Sequence, residues 1–93
     1  MKLNEPRTAC VRVSVFEDKI AGIIDNHVRV YESYNVPMLA VVYIVKGILE
    51  GLDTLDVEKI KGMVFFGLKS FNIYPMNIFV DVLEPREMKN ANK

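Results

Sequence analysis

The sequence predicts an α+β domain in which N- and C-terminal strands enclose two to three helices. Three observations carry this. Val11, Val13 and Val15 alternate with Cys10, Arg12 and Ser14 near the start. Ile78, Val80 and Val82 alternate with Asn77, Phe79 and Asp81 near the end. Alternation with β-branched residues is the pattern of a half-buried strand. Between these segments apolar residues recur at spacings of three and four, the period of an α-helix.

The first strand is expected over Thr8–Val15. Ser14 and Glu17 have the spacing of a capping box, so a helix is expected to begin near Val15. Phe16, Ile20, Ile23, Ile24, His27, Val28, Tyr31 and Tyr34 form its apolar stripe, and Lys19, Asp25, Asn26, Arg29, Glu32 and Ser33 lie mostly opposite. It should end near Asn35, because Pro37 restricts Val36. Pro37–Leu52 is ambiguous, since Met38–Val45 is apolar without a break and fits a buried helix or a central strand. The helix is preferred, because Pro37 suits a first turn and the apolar pattern continues through Ile48, Leu49 and Leu52. A third helix is expected over about Leu55–Phe71, with Val57, Ile60, Val64, Leu68 and Phe71 as its stripe. Asn72–Pro75 reads as a turn and Asn77–Leu83 as the last strand. The simplest arrangement pairs the terminal strands and packs the helices on one face. A ferredoxin-like βαββαβ order is the alternative, with strands at His27–Ser33 and Leu39–Val45 and a helix at Glu17–Asp25. An all-α bundle stands behind both.

A chain of 93 residues is one domain, here residues 1–93, with flexible tails expected at about 1–7 and 86–93. Twelve basic residues balance twelve acidic ones, so no global basic field attracts nucleic acid or an anionic membrane. The longest apolar run, Val36–Val45, is about half the ~20 residues of a membrane-spanning helix, and no secretory signal is visible. A cytoplasmic location without membrane association is the expectation. The single cysteine, Cys10, excludes an internal disulfide and a cysteine-based zinc cage.

No residue pattern points to catalysis. His27 is the lone histidine and is expected as a packing residue on the apolar stripe, and Cys10 as a small strand residue. Asp53, Asp56 and Glu58 sit where carboxylates favour a helix start. Gly62 and Gly67 are expected to admit a close neighbour, and Tyr31, Tyr34, Tyr43 and Tyr74 to lie half-buried at edges. No enzyme activity and no cofactor are therefore expected.

The run Val11-Arg12-Val13-Ser14-Val15-Phe16, followed by two helices split at Asn35-Val36-Pro37, resembles the ribbon-helix-helix DNA-binding fold over about residues 9–52. That resemblance implies that the strand pairs with its copy from a second chain and enters the major groove. Cys10, Arg12 and Ser14 would then read bases, with Arg12 and Ser14 the candidate nucleic-acid residues, and amides at the second helix start would hold phosphate. The chain departs from the family in its longer first helix, in Val36 and Pro37 at the usual polar cap and basic positions, in the apolar Met38–Val45, and in its neutral charge.

Hydrophobic residues make up 51% of the chain, more than a small interior can hold. The expected function is a small non-enzymatic interaction or regulatory module acting as a homo-oligomer, with a further protein as partner. Its expected interface is Met38, Val41, Val42, Val45, Met63, Phe65 and Phe66. A ribbon-helix-helix-like DNA-binding regulator and a small-ligand-binding ferredoxin-like domain are the alternatives. Nucleic acid is possible as a partner but disfavoured by the charge balance.

Overall fold

The computed structural model describes residues 7–84. The expected tails fall, except for Arg7, outside the described residues. The order is β1 (Arg7–Asp18), β2 (Ile23–Ser33), α1 (Met38–Ile48), α2 (Val57–Lys69) and β3 (Ile73–Val82). The α+β class with terminal strands around two helices is what the molecule shows. The strands form one sheet in the order β2-β1-β3, with β2 antiparallel and β3 parallel to the central β1. Both helices lie on one face, α1 against β2 and α2 against β3.

The segment expected as the long first helix is instead the end of β1, a hairpin turn and β2. Ser14 and Glu17, the expected capping box, both lie within β1. The turn is built locally. Asp18 Oδ1 accepts the backbone N–H groups of Ile20 and Ala21 at 3.0 Å each, and Gly22 N–H donates to Asp18 O at 2.7 Å. Gly22 closes the turn at φ 73°, a conformation that glycine adopts without a Cβ clash. Several residues that completed the helical stripe, among them Ile20, Ile23 and Tyr31, are exposed. The apparent helical period therefore mixed surface residues with the inward-facing Ile24 and Val28.

The ferredoxin-like alternative contained a strand at His27–Ser33, which exists within β2. Its helix at Glu17–Asp25 and its strand at Leu39–Val45 do not, since Leu39–Val45 lies in α1. Continuous burial needs, in this fold, only one helical face: Val41 and Val45 are fully buried while Leu39 and Tyr43 are exposed. β3 begins at Ile73, earlier than expected, because the turn ends at Asn72, whose φ of 63° asparagine tolerates.

The two helices are stabilised differently. Asp56 caps α2 by accepting from Glu58 N–H and Lys59 N–H, and Glu58 and Lys69 complement its dipole at the two ends. α1 starts at Pro37 with no side-chain cap and is held by Val41 and Val45. The core is Ala9, Val11, Val13 and Val15 of β1, Val28 of β2, Val41 and Val45, Ile60, Val64 and Leu68, Ile73, and Leu49 and Leu52 between the helices. Gly67 lets the helices approach, since a Cβ there would collide with the Ile48 side chain. Gly62, also expected at a close approach, has nothing within 4 Å.

Candidate functional site

The core is entirely aliphatic. Among the described residues every methionine and every aromatic side chain except the half-buried Phe16 is exposed. Tyr43 on α1 and Phe66 on α2 each keep 67% of their surface in solvent. Small domains ordinarily use such large side chains to fill a core. Here valine, isoleucine and leucine contributed by all three strands, both helices and the link between them fill it.

The other face of the sheet is open. Arg12, on the central strand, organises it. Its Nη1 donates to Asp81 Oδ2 of β3 at 2.6 Å, and its Nε donates to Tyr31 OH of β2 at 3.0 Å. The guanidinium also stands 4.9 Å from the centre of the Phe79 ring. Asp81 first, then Tyr31, hold Arg12 still more firmly protonated than usual. Arg29 stands 5.6 Å from the centre of the Tyr31 ring. Tyr31 reaches this position because the β1–β2 register slips between Cys10 and Val11, leaving it unpaired in a bulge. Near the end of the face Glu32 accepts from Cys10 Sγ at 3.6 Å and from Tyr34 OH at 3.1 Å.

The two sheet edges differ. β3 carries Pro75, which has no N–H to offer, and a bulge at Met76 where the register slips between Ala9 and Cys10. β2 has no proline, and its pairing with β1 is unbroken from Ile23 to Val30. Along this stretch Ile24, Asn26, Val28 and Val30 face the helices and Ile23, Asp25, His27 and Arg29 face the open side, as their register with the buried and outward residues of β1 requires.

The expected interface residues separate into three sets. Val41 and Val45 belong to the chain's own core. Met38, Met63, Phe65 and Phe66 are exposed, and Val42 is half-buried. Phe65 borders a shallow groove of about 460 Å³ between α2 and β3, together with Lys61, Met76 and Asn77. Arg12 and Ser14 share the open face with Cys10, and Arg12 already donates to Asp81 and Tyr31 within the molecule. β1 also has a neighbour on both sides, so it cannot form the two-chain ribbon that the ribbon-helix-helix resemblance implied. His27 is exposed on β2 rather than packed on a helical stripe, a position that sequence periodicity missed. Among the described residues no group of three or more His, Cys, Asp or Glu is placed to hold a metal ion, and no helix is long and apolar enough to cross a membrane. Compared with protein-family models, curated proteins and solved structures, the chain matches none.

Proposed function

We propose that the protein is a non-enzymatic cytoplasmic interaction module that works as a homodimer and presents the remainder of its surface to another protein. The observation that carries this is the division between an aliphatic core and an aromatic and methionine-rich surface. Tyrosine, phenylalanine and methionine are the side chains that interfaces concentrate, because each covers much area for few frozen torsions. Exposed singly they need no explanation, but a chain that keeps nearly all of them outside has surface suited to a partner. Size-exclusion chromatography with light scattering tests the reading. A dimer mass at micromolar concentration is expected, and a monomer throughout the soluble range overturns it.

Binding of nucleic acid on the open sheet face is a second reading, favoured by Arg29 beside the exposed ring of Tyr31 and Arg12 beside that of Phe79. Against it stand Asp25, Glu32 and Asp81 on the same face. It predicts retention of nucleic acid at low salt that is lost steeply as salt rises. Absence of retention at low salt would remove it.

A further inference from the structure

We propose that the dimer closes through β2, which pairs antiparallel with the β2 of a second copy about a two-fold axis passing His27. The proposal rests on the homodimer reading and names its seam.

Unpaired edge strands are templates for another strand, and proteins blunt them with proline, bulges or charged side chains. β3 is blunted by Pro75 and by the bulge at Met76. Over Ile23–Val30 β2 carries neither, since its own bulge lies beyond, at Tyr31, and its charges there, Asp25 and Arg29, are of opposite sign. Its amides alternate between β1 and the free side. Asn26 N–H finds its acceptor in Asp25 Oδ1, the carboxylate of the preceding residue, at 2.8 Å. This is a local substitute for a strand partner, and it occupies the one acidic side chain near the middle of the edge.

The charges on β2 select the occupant. Asp25 and Arg29 stand on the open face at equal distances from His27, with opposite signs. In an antiparallel pair centred on His27, Asp25 of each copy faces Arg29 of the other, so the attraction occurs twice. The same register sets Ile24 opposite Val30 and Asn26 opposite Val28 on the helix side. It sets Ile23 opposite Tyr31 on the open side, where His27 meets its copy on the axis. Asn26 N–H then bonds the carbonyl of Val28 in the other copy, and Asp25 is released to Arg29.

Other registers are poorer. A shift of one position would set open-face residues against helix-face residues. Centring on Arg29 opposes two guanidinium groups. Centring on Val28 leaves Asp25 opposite Tyr31 and sets His27 against Arg29. Centring on Asn26 shortens the overlap and places Ile23 opposite Arg29.

Strand pairing alone is a narrow contact, and a stable interface needs on the order of 1,000 Å² or more. α1 supplies apolar surface beside the seam. It packs over β2, and Ile48 on one flank meets α2 at Gly67. Met38 and Val42 lie on the other flank, toward the free edge of β2, by the 3.6-residue turn of the helix. Pairing the strands brings two α1 helices to the same side of the sheet, where Met38 and Val42 of each copy cover the other.

Charge exchange in the full-length chain tests the register. Asp25→Arg and Arg29→Asp each set like charges opposite one another twice, so each variant alone should dimerise about tenfold or more weakly than the parent chain. Mixed in equal amounts, they should form the heterodimer, because every like pair becomes an opposite pair. The double variant Asp25→Arg/Arg29→Asp should recover the homodimer. Circular dichroism confirms that each variant retains the parent fold. Backbone amide exchange gives a second readout on the unaltered protein: Ile24, Asn26 and Val28 should exchange at least about tenfold slower at dimeric concentration than on dilution. A parent monomer overturns the homodimer reading and this inference together. A parent dimer whose single variants dimerise equally well, or whose Asn26 and Val28 amides stay fast, overturns the β2 seam and leaves the reading standing. Weakened single variants that fail to associate on mixing overturn the His27-centred register.

Discussion

One face of β1 holds Ala9, Val11, Val13 and Val15, all without solvent exposure, and the other holds Cys10, Arg12, Ser14 and Phe16, all partly exposed. The two sets alternate along a single strand, yet they answer to different physics. On the inward face each methyl removed from water adds to stability, and no polar atom tolerates the site without a partner. On the outward face, contacts are made between charged and aromatic groups that water can replace. Stability therefore depends on the first set, while the second is free to vary with function. The difference predicts that neighbouring residues respond to substitution on different scales.

Val13→Asp against Ser14→Ala is the severest way to break the comparison. Val13 pairs with Val28 and Val80 under the helices and is fully buried. An unpaired carboxylate there should cost more than about 4 kcal/mol, a large share of a small domain's stability. Urea denaturation should show no cooperative transition for Val13→Asp. Ser14→Ala, one residue along, should stay within about 0.5 kcal/mol of the parent chain. Similar losses for both would mean that the open face is covered in the working protein.

The same contrast recurs within α2, between its flanks. Gly67 faces Ile48, and Gly62 faces open space. Gly67→Ala forces Ile48 aside and should cost about 1–3 kcal/mol by overpacking. Gly62→Ala should stabilise by roughly 0.5–1 kcal/mol, because alanine restricts the unfolded chain and favours the helix. Matched urea melts of the two variants give opposite signs if the packing is as described.

Smaller still is the effect of Arg12→Ala on the open face. The Arg12–Asp81 pair is accessible to solvent on both sides, with relative exposures of 38% and 40%. Exposed ion pairs contribute little and are screened by salt. The variant should melt only slightly below the parent chain at low salt, and the gap should narrow as salt is added. A large gap that salt does not change would mean that Arg12 is buried in an assembly.

The inward face was legible in the sequence because its signal is local. Three valines at every second position in β1 have one reading, and so do Ile60, Val64 and Leu68 along α2. α1 was legible as a helix through Pro37 and the pattern continuing to Ile48, but its inward side was not. An all-apolar run gives no contrast by which Val41 and Val45 separate from Leu39 and Tyr43. β2 was read as helix in the preferred arrangement, and as a strand only over His27–Ser33 in the alternative, because Ile20, Ile23 and Tyr31 are apolar and exposed and completed a helical stripe that burial does not follow. Met63, Phe65 and Phe66 were recognised as surplus, since they lie off the α2 stripe. The free edge at His27 could not be read, because an edge is set by the strand order β2-β1-β3, which links residues far apart in the chain.

The smallest expected effect lies at the end of the open face, in the ionisation of Tyr34. Its phenol donates to Glu32 Oε2 at 3.1 Å, and this bond, followed by the charge of Glu32 and partial desolvation, raises its pKa above the ordinary phenol value near 10. The bonded form is the protonated one, so the folded state holds the proton more tightly than the unfolded state does. The contact's contribution is fully present below the unfolded value and is lost as pH rises through the raised folded value. Spectrophotometric titration should therefore show the Tyr34 phenolate forming above the ordinary phenol range. Glu32→Gln should bring that phenolate back toward the ordinary range, because a neutral amide accepts the bond without a repelling charge. Tyr34→Phe should delete the late step. A late step that survives Glu32→Gln would assign the shift to burial of Tyr34, and the open face would then be less open at this end than at Arg12.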